Sequence, residues 1–87
     1  MKEVTIEKII KILNANIENI EITLKDIKED LTLLGMDSLS FVRIVVLLEE
    51  EFECEIPDSK LLISEMNTGE KIFNLLQKLY EDNYAYE

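Results

Sequence analysis

The sequence predicts an all-α fold, a small bundle of three main helices and a short fourth, with a long first loop. Three observations carry this prediction. Apolar residues recur at helical spacing in three separate segments. The 87 residues include only two glycines and one proline, so there is little turn punctuation. The length suits one small domain. We expect a single domain over residues 1–87, with its core at 3–80 and a frayed tail at 81–87.

In the first segment, Ile6, Ile9, Ile10, Leu13 and Ile17 keep a helical period, with Glu7, Lys8 and Lys11 on the other side. They predict an amphipathic helix of about three turns over residues 3–15. Asn14, Asn16 and Asn19 then weaken the helix, because their side chains compete for backbone hydrogen bonds. Residues 16–35 mix Ile20, Ile22, Leu24, Ile27, Leu31, Leu33 and Leu34 with acids. They read as a loop pinned to the core by its apolar side chains, with one helical turn at 24–29. A loop this long in a small domain is often functional.

Asp37 is a good N-cap for the next helix and places Ser38 in the first turn. At about 100° per residue, Phe41, Ile44, Val45, Leu48 and Phe52 share one face, the candidate core face. Leu39, Arg43, Val46 and Glu50 cluster opposite, and Ser38, Val42 and Glu49 lie along a seam between the two. Apolar residues therefore stand where a solvated face should be polar. Pro57 ends regular structure. Residues 58–66 are a connection with a short helix carrying Leu61, Leu62 and Ile63. Asn67 with Glu70 has the form of a capping box for the last helix. Ile72, Phe73, Leu76 and Leu79 form its apolar stripe, with Leu75 at the margin.

The net charge of −10 argues against nucleic acid and against anionic membrane surfaces, and for basic protein partners. The single cysteine, Cys54, rules out an internal disulfide framework and fits a reduced, cytoplasmic setting; a small half-buried residue without a chemical role is its plainest reading. The charged, amphipathic N-terminus does not read as a signal peptide, and no apolar run reaches membrane-spanning length, so no membrane insertion is expected. The chain has no histidine, which removes the usual base for a nucleophilic serine. Gly35 stands alone, so there is no phosphate-cradling glycine loop, and neither transition-metal ligands nor a calcium loop can be assembled from the spacing. We expect no catalytic residues, no metal and no enzyme activity.

Ser38 makes better sense as a substrate. A helix N-terminus presents unpaired N–H groups and a partial positive charge, which suit a phosphate ester. Gly35 gives the backbone freedom just ahead of it for the close approach of another protein. Position alone favours the simpler alternative, a serine that merely starts a helix.

The wider pattern weighs the other way. Gly35, Asp37, Ser38 and Leu39 open the helix; Glu49, Glu50, Glu51 and Phe52 close it; Ile56, Pro57 and Asp58 follow in register. Together with Thr5–Ile6–Glu7 and a helix start near Thr68, this resembles the acyl carrier protein family, the phosphopantetheine-binding carriers, over residues 3–80. The resemblance implies an acyl or aminoacyl carrier of the acyl-carrier bundle type. Ser38 would hold a covalent 4′-phosphopantetheine arm taken from coenzyme A by a phosphopantetheinyl transferase, with Gly35, Asp37 and Leu39 around it. The arm's thiol would carry acyl groups as thioesters, from an acyl- or aminoacyl-loading ligase to downstream synthase enzymes.

The same resemblance makes the second helix a docking helix, with Leu39, Val42 and Val46 as apolar contacts and Glu49 and Glu50 as rim charges. Carriers of fatty acid synthesis usually have acids at the positions of Ser40 and Arg43. Arg43 reverses that charge in the middle of the face, which points to a specialised secondary or lipid pathway. We expect a monomer. Two rival readings are an unmodified acidic adaptor docking through the same helix, and a small calcium-responsive protein.

Overall fold

A computed structural model describes residues 1–83 of the chain. Three α-helices account for most of its regular structure: α1 (Ile6–Asn16), α2 (Ser38–Phe52) and α3 (Gly69–Asn83). Three short 3-10 turns, Leu24–Asp26, Asp58–Lys60 and Ile63–Glu65, interrupt the connections, and no strand occurs among the described residues. The result is the small all-α bundle that the sequence predicts.

α1 starts later than expected because Thr5 caps it, its hydroxyl accepting the Lys8 N–H at 3.4 Å. Ile9, Leu13 and Ile17 are buried, with Ile6, Ile10 and Ile12 packed partly against the same core. The start of α1 lies against the end of α2. The Lys2 N–H donates to the Phe52 carbonyl at 2.8 Å, and Lys2 and Lys8 pair with Glu53 and Glu51 at 3.2 and 3.6 Å. The two helices therefore run antiparallel. These ion pairs are exposed and add little stability. The core does that work.

The long loop over 17–37 is fastened by hydrogen bonds as well as by apolar side chains. Asn14 does more than weaken its helix: its Oδ1 accepts the Ile22 N–H at 2.7 Å and its Nδ2 donates to the Ile22 carbonyl at 3.0 Å. Ile22 and Leu31 are buried, but Leu24 and Leu33 are exposed, so these two do not pin the loop as expected. Only Leu24–Asp26 of the anticipated turn is helical, with Thr23 and Asp26 forming a capping box. The loop also meets α3. The Leu31 N–H donates to the Asn67 carbonyl at 2.7 Å, and the Glu70 N–H to the Ile27 carbonyl at 2.8 Å. Gly69 is buried there, and a Cβ on it would lie 3.5 Å from the Ile27 backbone.

α2 ends at Phe52, ahead of Pro57. Glu53 takes a left-handed φ of 52°, and its N–H closes on the Glu49 carbonyl. The expected single short helix over 61–63 is instead two 3-10 turns flanking Leu61 and Leu62. At α3, the cap is Thr68, whose Oγ1 accepts the Lys71 N–H at 3.0 Å. The expected box between Asn67 and Glu70 does not form, because the Glu70 N–H goes to the Ile27 carbonyl and the Asn67 side chain accepts from the Lys71 ammonium. Ile72 and Leu76 are buried, with Phe73, Leu75 and Leu79 around them. α3 continues to Asn83, so residues 81–83 are an exposed last turn; the rest of the expected frayed tail, 84–87, lies outside the described residues.

Leu13→Ala should lower unfolding free energy by about 3 kcal/mol in urea titrations, as expected for a cavity at a fully buried leucine. Leu39→Ala, on the exposed face, should stay within about 0.5 kcal/mol of the parent. The reverse order would mean that the helix faces are wrongly assigned.

Candidate functional site

The approach to α2 is set by the backbone. Gly35 has φ of +114°, which residues with a Cβ rarely adopt. Space does not demand glycine, since a Cβ would meet only Ile17 Cγ2 at 3.6 Å. Met36 is buried next, and its N–H donates to the Leu31 carbonyl at 2.9 Å, which fixes the chain just ahead of Asp37.

Asp37 caps α2 in a reciprocal arrangement with Ser40. Asp37 Oδ1 accepts the Ser40 N–H at 2.8 Å and lies 3.0 Å from the Ser40 hydroxyl. Ser40 Oγ in turn accepts the Asp37 N–H at 2.9 Å and lies 3.1 Å from the Asp37 carbonyl oxygen. This is a capping box with serine at the position where glutamate is common. The spacing Asp-x-x-Ser is visible in the sequence, but reading Ser40 only as a missing acid overlooks it. It is 4% exposed, the only buried polar side chain among the described residues.

The Ser40 N–H, then the Ser40 hydroxyl, hold the Asp37 carboxyl below the usual aspartate range; the nearby positive charge of Arg43 adds to this, and slight desolvation opposes it. A lowered folded pKa means that the stabilisation is present above the ordinary carboxyl range. It is lost as pH falls through the lowered value.

Ser38 is one residue inside the cap and differs from Ser40 in every respect. It is exposed, and its hydroxyl has no hydrogen-bond partner among the described residues. The N–H groups of Ser38 and Leu39 are first-turn amides that no helical carbonyl can reach, and they find no other partner there. The helix end thus presents a free hydroxyl beside free donors.

From this end, the exposed face of α2 runs through Leu39, Val42 and Val46, which are 65%, 57% and 46% exposed. Leu47, one helical turn after Arg43, is exposed as well, and Leu33 stands exposed on the loop before Gly35, where no helical period applies. Arg43 and Glu50 are exposed on this face without an ion pair among the described residues. Arg43 borders a shallow cleft formed with residues 14–21 at the end of α1. Glu49 departs from the expectation of a presented rim charge. It is half-buried, and its Oε2 accepts the Ile56 N–H at 2.8 Å, tying the chain after α2 back onto the helix. Burial, with the charge of Glu49 beside it, pushes the Cys54 thiol up, so it remains protonated at neutral pH. Among the described residues, no group of three or more acidic or thiol side chains is placed to hold a metal ion.

The phosphopantetheine attachment site family matches residues 5–68. The chain belongs to this family. The match begins at the Thr5 cap of α1 and ends at the Thr68 cap of α3, so it takes in the whole first loop and α2. This agrees with the resemblance to acyl carrier proteins: the domain is a site of covalent 4′-phosphopantetheine attachment, and the chain is a phosphopantetheine-carrying protein. Carrier domains of this family are generally non-catalytic and work with a phosphopantetheinyl transferase and with synthase or ligase partners. No solved structure matches the chain. No helix among the described residues is long and apolar enough to cross a membrane.

The start of α2 fits the group. A phosphodiester monoanion needs an accessible oxygen to join, donors to face its charge and room for its approach. The Ser38 hydroxyl, the two free amides with the positive end of the helix, and the open turn at Gly35 provide these in turn.

Ser40→Ala should cost about 1 kcal/mol, read as a fall of several degrees in melting temperature, because it removes half of the capping box. Ser38→Ala should leave stability within about 0.5 kcal/mol. Equal losses from both would show that Ser38 is a structural hydroxyl.

Proposed function

We propose that the Ser38 hydroxyl is the attachment point of the arm and that the chain is an acyl or aminoacyl carrier, itself non-catalytic. The observation that carries this reading is the contrast at the start of α2: Ser38 is exposed and unbonded, whereas Ser40 is buried and fully engaged. In the transfer, Ser38 Oγ bonds to the phosphorus that bears the pantetheine in coenzyme A. The bond from that phosphorus to 3′,5′-ADP breaks, and the Ser38 proton passes to a base of the transferase. This chain has no histidine to serve as that base. Once attached, the arm supplies a terminal thiol on which acyl groups travel as thioesters.

Presentation to partner enzymes falls to the exposed face of α2. Leu39, Val42 and Val46 offer apolar contacts, and Glu50 at the rim, with the overall charge of −10, favours basic partners. Glu49 contributes less, since Ile56 occupies one of its oxygens. Arg43 is the discriminating charge. It would repel the basic patches that suit carriers with an acid at this position, which supports a specialised secondary or lipid pathway.

Incubation with coenzyme A, magnesium and a broad-range phosphopantetheinyl transferase should add the mass of one arm to the intact chain and none to Ser38→Ala. A folded parent that gains no mass with several transferases would leave the unmodified adaptor as the better reading.

Two further variants test the face. Val46→Asp should impair transfer of cargo to partner enzymes with no loss of melting temperature; a parallel loss of stability would place Val46 in the core. Arg43→Glu should improve exchange with a fatty acid ketosynthase, and an unchanged rate would remove Arg43 as the discriminating charge.

A further inference from the structure

Any residue after Asp37 at the third helical position supplies a backbone N–H to the cap. Ser40 supplies more. Its hydroxyl lies 3.0 Å from the same Asp37 Oδ1 that takes its N–H, and its oxygen accepts the Asp37 N–H. The hydroxyl's one proton is shared between Oδ1 and the Asp37 carbonyl oxygen at 3.1 Å, so it adds a second hold on the oxygen that the N–H already binds and restrains the carboxylate's rotation, while Oδ2 has no partner among the described residues. Ser40 is 4% exposed, so it cannot itself meet a docking protein. Asp37 is exposed and adjacent to Ser38. The arrangement delivers an ionised oxygen, in one orientation, next to the acceptor hydroxyl.

We infer that Ser40 is a positioning residue for recognition of the carrier in phosphopantetheine transfer: by clamping Asp37 Oδ1 it presents Oδ2 to a basic side chain of the transferase, which docks on this end of α2. The inference rests on the reading of Ser38 as the attachment point. A basic side chain is the counterpart that the charge of −10 favours, since a partner that docks on this chain gains from carrying positive groups. Without the Ser40 hydroxyl the carboxylate would hang on a single N–H and turn about it, and the Asp37 N–H would lose its acceptor. Recognition of the carrier should suffer, and the chemistry once bound should not.

The test is steady-state transfer with a broad-range phosphopantetheinyl transferase at saturating coenzyme A and magnesium, varying the carrier, at a temperature where circular dichroism shows every variant folded. Ser40→Ala should raise the KM for the carrier about fivefold and leave kcat within about twofold, in the range found for groups of one hydrogen-bond network. Asp37→Asn, which keeps a capping oxygen but removes the charge, should raise KM at least as much. The double variant should be no worse than Asp37→Asn alone, because Ser40 acts through Asp37. The magnesium requirement should be the same in all of them.

A Ser40→Ala variant with parental KM and only a lower melting temperature would overturn the inference. So would a double variant whose defect is the product of the two single ones, or variants that need more magnesium. These results leave the attachment reading intact. Failure of the parent to accept an arm at all would instead overturn that reading.

Discussion

The functional end of this protein depends on the reciprocal bonding of Asp37 and Ser40. Three bonds of 2.8 to 3.0 Å close the first turn of α2, and they sort two hydroxyls that lie two residues apart in the sequence. Ser40 is consumed by the cap and buried; Ser38 is left outside it, exposed, with the free amides of the helix end around it. The capping box therefore sets which of the two hydroxyls is exposed, as well as where the helix begins.

The rest of the fold supports that end and keeps it accessible. The α2 face bearing Phe41, Ile44, Val45, Leu48 and Phe52 is buried in one core with residues of α1, the first loop and α3, so the opposite face stays exposed. The loop that leads to Asp37 is secured at several points: Asn14 to Ile22, Leu31 to Asn67, and Met36 to Leu31. These bonds tie the approach to Ser38 to both α1 and α3. At the far end of α2, Glu49 closes onto Ile56 and Glu53 turns into the left-handed region, which spends one of the acids on structure. The exposed face of α2 thus carries a mixed charge pattern, Arg43 towards one end and Glu50 towards the other, beside the apolar Leu39, Val42 and Val46.

Much of this was legible in the sequence, and the misses share a cause. Three apolar stripes at helical spacing gave α1, α2 and α3, and the Asp37 cap and the exposure of Leu39, Val42 and Val46 followed from one helical wheel. Periodicity reports which way a residue faces on a regular element, and these residues lie on one. It does not report which polar side chain wins a given backbone partner. Asn14 looked like a helix breaker and is a loop fastener; Asn67 looked like a cap, but its side chain accepts from the Lys71 ammonium and Thr68 is the cap; Glu49 looked like a surface charge and holds Ile56. Leu24 and Leu33 went the same way, since an irregular loop has no period from which to read burial. Attachment chemistry was legible because Gly35, Asp37, Ser38 and Leu39 keep their register with the acidic, proline-terminated segment after them, and the family match bears out that chemistry.

Selection by the cap of one serine among the four in the chain, Ser38, Ser40, Ser59 and Ser64, is what joins this structure to its proposed function. Proteolysis of the transferase-treated protein followed by fragment-ion mass spectrometry tests it most directly. The phosphopantetheine mass should lie on Ser38 alone, with the Ser40 fragment ions unmodified. Arm mass found on Ser40, Ser59 or Ser64 while Ser38 is intact would contradict it.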